Sequence, residues 1–370
     1  MKKVILSVTN DLVTDSRVHK VALTLQKMSF QVLLVGRKLP KSKKLDQRPY
    51  KTRRMKLFFK RGPLFYAEYN FRLFLFLRVR KADIFLANDL DSLLANYLVS
   101  KLKNKPLVYD SHEFFTEVPE LLHRPVKRAI WLRIERSILP RLEHAYTVCE
   151  SIAAIYRKKY GTPFRVVRNL PHREELMIVP HEKSLASDGR KIILYQGALN
   201  IGRGLEYAVK AMQYLDDARL LIVGDGDITL PLKRLTADLK LANRISFLGK
   251  VPLEEMKFIT AQADLGLSIE EDLGLNYRFA LPNKLFDYIQ QQVPVLVSNL
   301  PEMKKIVDDY QIGMILDSHD PQQMAAQFHD ALFNRELREK WYDNLPLAAH
   351  DLCWENEEHV LFDIFEKLNQ

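Results

Sequence analysis

The chain has 370 residues, enough for two domains at roughly 150 residues each. A hydrophobic fraction of 47% and a charged fraction of 28% are those of a globular protein, and 13 Gly with 17 Pro exclude a low-complexity or collagen-like chain. Two cysteines, Cys149 and Cys353, exclude a disulfide framework; the expectation is a reducing, cytosolic setting with each thiol acting as a small buried hydrophobe.

The net charge of +10 is unevenly divided. Residues 1–170 carry 35 Lys and Arg against 14 Asp and Glu, whereas residues 171–370 carry 21 against 32. A basic half joined to an acidic one points to an anionic partner on one side: a membrane surface, a nucleic acid or a charged substrate. The apolar run in residues 1–10 is too short for a signal peptide, and no stretch of about eighteen uncharged apolar residues suggests a spanning helix. A soluble or peripheral protein is expected.

In chain order, apolar runs rich in Val, Ile and Leu at residues 4–9, 31–36, 83–87, 106–110 and 145–149 predict buried strands, and a second series follows at 191–196, 218–223, 244–248, 263–269, 294–298 and 313–316. Amphipathic stretches such as 17–28, 203–215 and 284–291 lie between them. The alternation predicts an α/β protein of two doubly wound, Rossmann-type domains with parallel sheets, facing a cleft, with ligands beyond the carboxyl ends of the strands. The domains are expected at 1–172 and 190–349, with a polar linker at 171–190 and a last acidic helix in 350–370 that crosses back to the first domain. One segment departs from the pattern. Residues 48–81 are dense in both basic and aromatic side chains; as a helix they suit either a surface packed against the domain or a membrane interface.

The loop Asn10-Asp11-Leu12-Val13-Thr14-Asp15-Ser16-Arg17 is not a dinucleotide-binding glycine turn, and Asp15 or Ser16 suits a helix cap. His112, after Tyr109-Asp110-Ser111, falls at a strand's carboxyl end, where a functional histidine is placed. Asn88-Asp89-Leu90-Asp91 lies at the end of the preceding strand and reads as a helix cap. Two glycine-rich turns, Gly197-Ala198-Leu199-Asn200-Ile201-Gly202-Arg203-Gly204 and Gly224-Asp225-Gly226-Asp227, suit a phosphate-bearing ligand. The densest cluster is Asn276-Tyr277-Arg278-Phe279-Ala280-Leu281-Pro282-Asn283-Lys284-Leu285-Phe286-Asp287-Tyr288. There Pro282 and Asn283 suit a helix start, Lys284 an anion, and Asp287 a sugar hydroxyl.

These segments resemble the family-4 (group 1) glycosyltransferases of bacterial polysaccharide and glycolipid synthesis, which have the GT-B fold. The likeness is carried by Asp15-Ser16-Arg17-Val18, Tyr109-Asp110-Ser111-His112-Glu113, Arg203-Gly204, Pro282-Asn283-Lys284-Leu285-Phe286-Asp287-Tyr288 and Val293-Pro294-Val295. It implies a retaining, metal-independent hexosyltransferase with no cofactor beyond its nucleotide-diphosphate sugar. His112, Arg203 and Lys284 are then the catalytic residues. Gly197, Gly202, Gly204, Gly224, Asp225, Gly226, Glu270, Asn276, Tyr277, Pro282, Asn283, Leu285 and Asp287 bind the donor. Asn10, Asp15, Arg17, Asp110 and Glu113 serve a glycan or lipid-linked acceptor.

The family's first glutamate is missing, because Phe279 stands eight positions before Asp287, with Glu270 or Glu271 as substitute; the usual Gly-Gly loop after the first strand is also absent. The expected location is cytoplasmic, peripheral on the inner face of the membrane, with no nucleic-acid partner. The alternatives are a nucleotide-sugar epimerase of the same architecture, a nucleic-acid-binding protein using the basic half, and a transferase that has lost its activity.

Overall fold

The computed structural model of the chain describes residues 1–177, 185 and 189–369. It falls into two units, Met1–Asn169 with Glu357–Gln370, and Leu170–Asn356.

The first unit holds a sheet of seven parallel strands: β1 (Lys3–Asp11), β2 (Gln31–Lys38), β3 (Lys51–Lys56), β4 (Ile84–Asn88), β5 (Leu107–Ser111), β6 (His144–Thr147) and β7 (Phe164–Val166). Their order is β3-β2-β1-β4-β5-β6-β7. Every residue of β4 and β5 is buried, as expected of central strands covered on both faces. β3 and β7, which the apolar pattern did not predict, are the two edges of the sheet. β3 reads Lys-Thr-Arg-Arg-Met-Lys with only Met55 buried, so an edge strand protected by charge carries no hydrophobic signature.

The second unit repeats the plan with six parallel strands: β8 (Lys191–Gln196), β9 (Ala218–Val223), β10 (Ile245–Gly249), β11 (Leu265–Ser268), β12 (Val295–Ser298) and β13 (Gly313–Leu316). Their order is β10-β9-β8-β11-β12-β13. One layer of core, including Leu205, Phe328 and Trp341, covers one face of this sheet, and another, including Leu285, Tyr288 and Leu345, covers the other. In both sheets the strand order reverses beside the first strand, between β1 and β4 and between β8 and β11. Connections leave the sheet there in opposite directions and open a crevice at the strands' carboxyl ends.

The segment expected to be a linker is tied down at its start. Trp354 donates its backbone N–H to Pro171 O (2.7 Å), Glu355 accepts from Arg173 N (2.9 Å), and Lys257 pairs with Glu174 (2.8 Å). Positions 178–184 and 186–188 of that expected linker lie outside the described residues. At the other end of the chain, residues 350–356 stay with the second unit, and the last helix, His359–Asn369, packs in the first. There Glu357 accepts from Arg168 N (2.6 Å) and Nη2 (2.7 Å), Glu358 accepts from Thr24 Oγ1 (2.7 Å) and pairs with Lys27 (2.9 Å), and Phe365 meets Phe30 edge-on.

Candidate functional site

In the second unit the crevice gathers three charged side chains. Glu270 follows β11 by two residues and is fully buried. Its Oε1 lies 2.6 Å from Lys284 Nζ and 3.3 Å from Arg203 Nη1, and its Oε2 accepts from Ser268 Oγ (3.0 Å). Burial alone would raise this carboxyl, but Lys284 and Arg203 outweigh it and hold the group below the usual carboxylate range. One carboxylate against two cations leaves a surplus positive charge. Lys284 sits in the first turn of the helix Asn283–Gln290, whose amino end adds to that charge, and its ammonium lies 4.0 Å from the centre of the Tyr195 ring. Arg203 lies over Tyr277 at 5.3 Å, and its buried Nε meets no acceptor among the described residues.

The glycine turns serve mainly to let loops touch. Gly204 has φ +71°, and a Cβ there would fall 2.1 Å from Ile269 O, beside the residue that precedes Glu270. At Gly224, with φ +135°, a Cβ would fall 1.8 Å from Gly197 O. Gly226 packs on Leu199 O and Gly202 on Leu273. The Gly197 N–H is given to Val223 O (2.9 Å), because the loop continues the sheet's hydrogen bonding. Asp225 accepts from Gly226 N (2.9 Å) and Thr229 Oγ1 (3.0 Å), which is a local turn.

Other expected donor residues divide in the same way. Leu285 is fully buried in the core, so its side chain anchors the helix that carries Lys284. Asp287 is half-buried and accepts from Gln196 Nε2 (3.0 Å) at the end of β8. Tyr277 Oη donates to Ile201 O (3.1 Å), pinning the short helix Leu275–Arg278, which also holds Asn276, to the loop before Arg203. Pro282 stands at the cap position of the Lys284 helix without a side-chain bond, and Asn283 is exposed beside it.

In the first unit the corresponding crevice is acidic. Asp110, at the end of β5, is fully buried and gripped by Arg17 through Nη2 (2.7 Å) and Nε (3.0 Å), while Arg17 Nη1 donates to Val167 O (2.9 Å). Arg17 is itself buried, and the pair contacts His112 through Asp110. His112 places Nε2 3.1 Å from Asp110 Oδ2 and Nδ1 3.3 Å from Asp89 Oδ2, and its backbone N–H donates to Asp89 Oδ1 (2.8 Å). Burial lowers the imidazole, yet the two carboxylates win and raise it to about 9. Asp110, despite burial, is held at about 2 by Arg17 and His112, and burial lifts Asp89 to about 7. With both ring nitrogens turned to carboxylates, the imidazolium form of His112 is favoured, and in that form the ring is a positive pole with no lone pair.

Asp89 is the residue that sequence reasoning missed. Expected to cap the helix Leu90–Lys103, it stands at the cap position with φ 60° and makes no cap bond, its carboxylate being committed to His112. The available signal was its position: it ends β4 as His112 follows β5, and adjacent parallel strands bring both ends together. Asp91 is buried behind it, accepts from Thr9 Oγ1 (2.6 Å), keeps Oδ1 without a partner among the described residues, and is pushed by burial to about 7. Asp15 is a helix cap, accepting from Val18 N (3.1 Å) and from Asn10 Nδ2 (3.0 Å). Glu113 is half-buried and its backbone oxygen accepts from Ser111 Oγ (2.9 Å).

A family model described as glycosyl transferases group 1 matches residues 180–346, and one described as Glycosyltransferase Family 4 matches residues 15–171. The α-D-kanosaminyltransferase of Streptomyces kanamyceticus is 23% identical over 279 residues, 69% of each chain. The 2-deoxystreptamine glucosyltransferase of the same organism is 25% identical over 210 residues, 52% of this chain and 54% of the relative. Among solved structures, a sucrose-phosphate synthase from Thermosynechococcus elongatus superposes with a TM-score of 0.80 at 16% identity, covering 100% of this chain and 99% of that one. Anabaena HepE in complex with UDP-glucose gives 0.75 at 14%, covering 100% of both. The structural likenesses establish the GT-B fold, and with its two halves matched by models of one group the chain belongs to the group 1, family 4 glycosyltransferases.

Proposed function

We propose that this glycosyltransferase moves a hexose from a nucleotide-diphosphate sugar to a glycan or lipid-linked acceptor on the cytoplasmic side of a membrane, in polysaccharide or glycolipid synthesis. We further propose that it does so with retention of configuration and without a metal. The observation that carries the donor half of this reading is the pair Arg203 and Lys284, held on one buried carboxylate at the carboxyl end of β11. As the bond from sugar to diphosphate stretches, negative charge grows on the departing phosphate oxygen, and two pre-positioned cations compensate it. Glu270 positions them and neutralises one charge while no anion is bound. Asp287, beside Gln196, suits a ribose hydroxyl. His112 acts as a fixed positive pole beside the acceptor or the transferred sugar. The names of the curated relatives, both sugar transferases, support the reaction class.

The test is transfer from radiolabelled nucleotide sugars in the presence of a chelator. Release of nucleoside diphosphate that requires an acceptor, unaffected by chelation, is expected. Donor turnover without any acceptor would favour an epimerase, and loss of activity on chelation would refute the metal-free mechanism.

A further inference from the structure

The helix Pro63–Val79 is apolar on both sides. Phe65, Tyr69, Leu73 and Leu77, four residues apart, fill its inner face and are buried. Its outer face should then be polar. Instead it presents Leu64, Phe71 (64% exposed), Leu75 and Val79 (77%) along one stripe, and the loop before it adds Phe58 (83%) and Phe59.

The loop is held in place. Glu68 accepts the backbone N–H groups of Phe58 (3.0 Å) and Phe59 (2.9 Å) and pairs with Arg72 (2.9 Å), whose guanidinium lies 4.9 Å from the Phe58 ring. Glu68 is also the single acidic residue in positions 48–81, against eleven Lys and Arg. Beside this loop a cavity of about 350 Å³ is lined by Arg37, Lys38, Lys56 and Lys60 together with Phe59 and Phe65.

We propose that this face lies on an anionic lipid bilayer, the six exposed apolar side chains entering the interface and the surrounding cations meeting the head groups, with the basic cavity taking a head-group phosphate. Aliphatic and aromatic side chains in a stripe, rimmed by Lys and Arg, are what an interfacial helix requires. Single-stranded nucleic acid would be met by aromatic rings, and gains nothing from Leu64, Leu75 and Val79. A second copy of the chain would set two strongly basic faces against each other, which like-charge repulsion opposes. No helix among the described residues is long and apolar enough to cross a membrane, so this helix would lie on the surface. The inference does not depend on the catalytic reading.

The test is co-sedimentation of the purified full chain with vesicles of equal parts phosphatidylglycerol and phosphatidylcholine, and with phosphatidylcholine alone. Two variants are compared: Phe71→Gln with Leu75→Gln and Val79→Gln, and Lys60→Gln with Arg61→Gln and Arg78→Gln. All six positions are exposed, and circular dichroism melting checks that the fold is kept. The wild type is expected to bind the anionic vesicles, more weakly as salt rises, and each variant to bind more than about tenfold more weakly. Absence of binding to anionic vesicles, or binding unchanged by the apolar substitutions, overturns the proposal. A dimer dissolved by the apolar substitutions, with no vesicle binding, overturns it in favour of self-association.

Discussion

The two units share a strand order and carry opposite charge at the point where that order reverses. In the first, Asp89, Asp91 and Asp110 face one arginine and one histidine; in the second, a single Glu270 faces Arg203 and Lys284. The assignment runs against the charge of each half of the chain, because the acid-rich cluster belongs to the basic half and the cation pair to the acidic half. Net charge describes a solvated surface, whereas a buried cluster is set by which few side chains the strand ends bring together. One backbone frame thus supports two arrangements of charge, two cations on one carboxylate and a histidine held between carboxylates, so the side chains set the chemistry of each crevice.

The largest effect should come from breaking the first cluster at its buried pair. Arg17→Met strips the buried Asp110 of its closer cation and leaves it on His112, and should cost about 3–4 kcal/mol in urea unfolding, against less than about 0.5 kcal/mol for the exposed Lys44→Gln. Equal costs would show that charge in this crevice is no different from surface charge. In the second unit, Lys284→Ala should lower kcat/KM by about 10²–10³ while leaving far-UV circular dichroism intact. Glu270→Gln sharpens the comparison further. The two cations then face each other without their shared carboxylate, so the free protein should lose roughly 2–3 kcal/mol. A bound diphosphate, which supplies the missing negative charge, should stabilise this variant more than the wild type. A smaller thermal shift in the variant would contradict that role.

The smallest expected effect is a pH dependence confined to the first unit. The folded-state value of His112, about 9, lies above its ordinary 6.5, so its contribution to stability is complete below about pH 6.5 and disappears as pH rises through 9. Asp89, raised to about 7, acts in the same direction at lower pH: its contribution is lost as pH rises from its ordinary 3.8 through 7. The wild type should therefore lose about 1–2 kcal/mol relative to His112→Gln between pH 7 and 9, measured by denaturant titration. A difference that grows with pH would mean that His112 is held neutral.

The central strands were legible in the sequence because strands covered on both faces are written as unbroken apolar runs, as in β4 and β5. The edges β3 and β7 were not, since an edge needs charge or brevity and no hydrophobic run. Lys284, Arg203 and His112 stood out by position at strand and helix ends. The roles of their partners did not. In the sequence Glu270 reads as a substitute for an absent acid, and its contact with both cations depends on β11 lying beside β8. Asp89 looked like a cap because a local pattern cannot show that a carboxylate turns away from its own helix toward the next strand. The burial of the Leu285 side chain is not legible either, because a motif names neighbours in sequence, while a helix sends adjacent residues to different faces.

The most direct test of the central claim, that the cationic crevice and not the acidic one takes the diphosphate, is a thermal-shift panel of nucleoside diphosphates with a chelator present. It should be run on the wild type, Lys284→Ala and Asp89→Asn. A ligand that binds only the folded protein raises its melting temperature by mass action. The account predicts that one diphosphate stabilises the wild type and Asp89→Asn alike and has no effect on Lys284→Ala. A shift that survives in Lys284→Ala, or that is lost in Asp89→Asn, would contradict it.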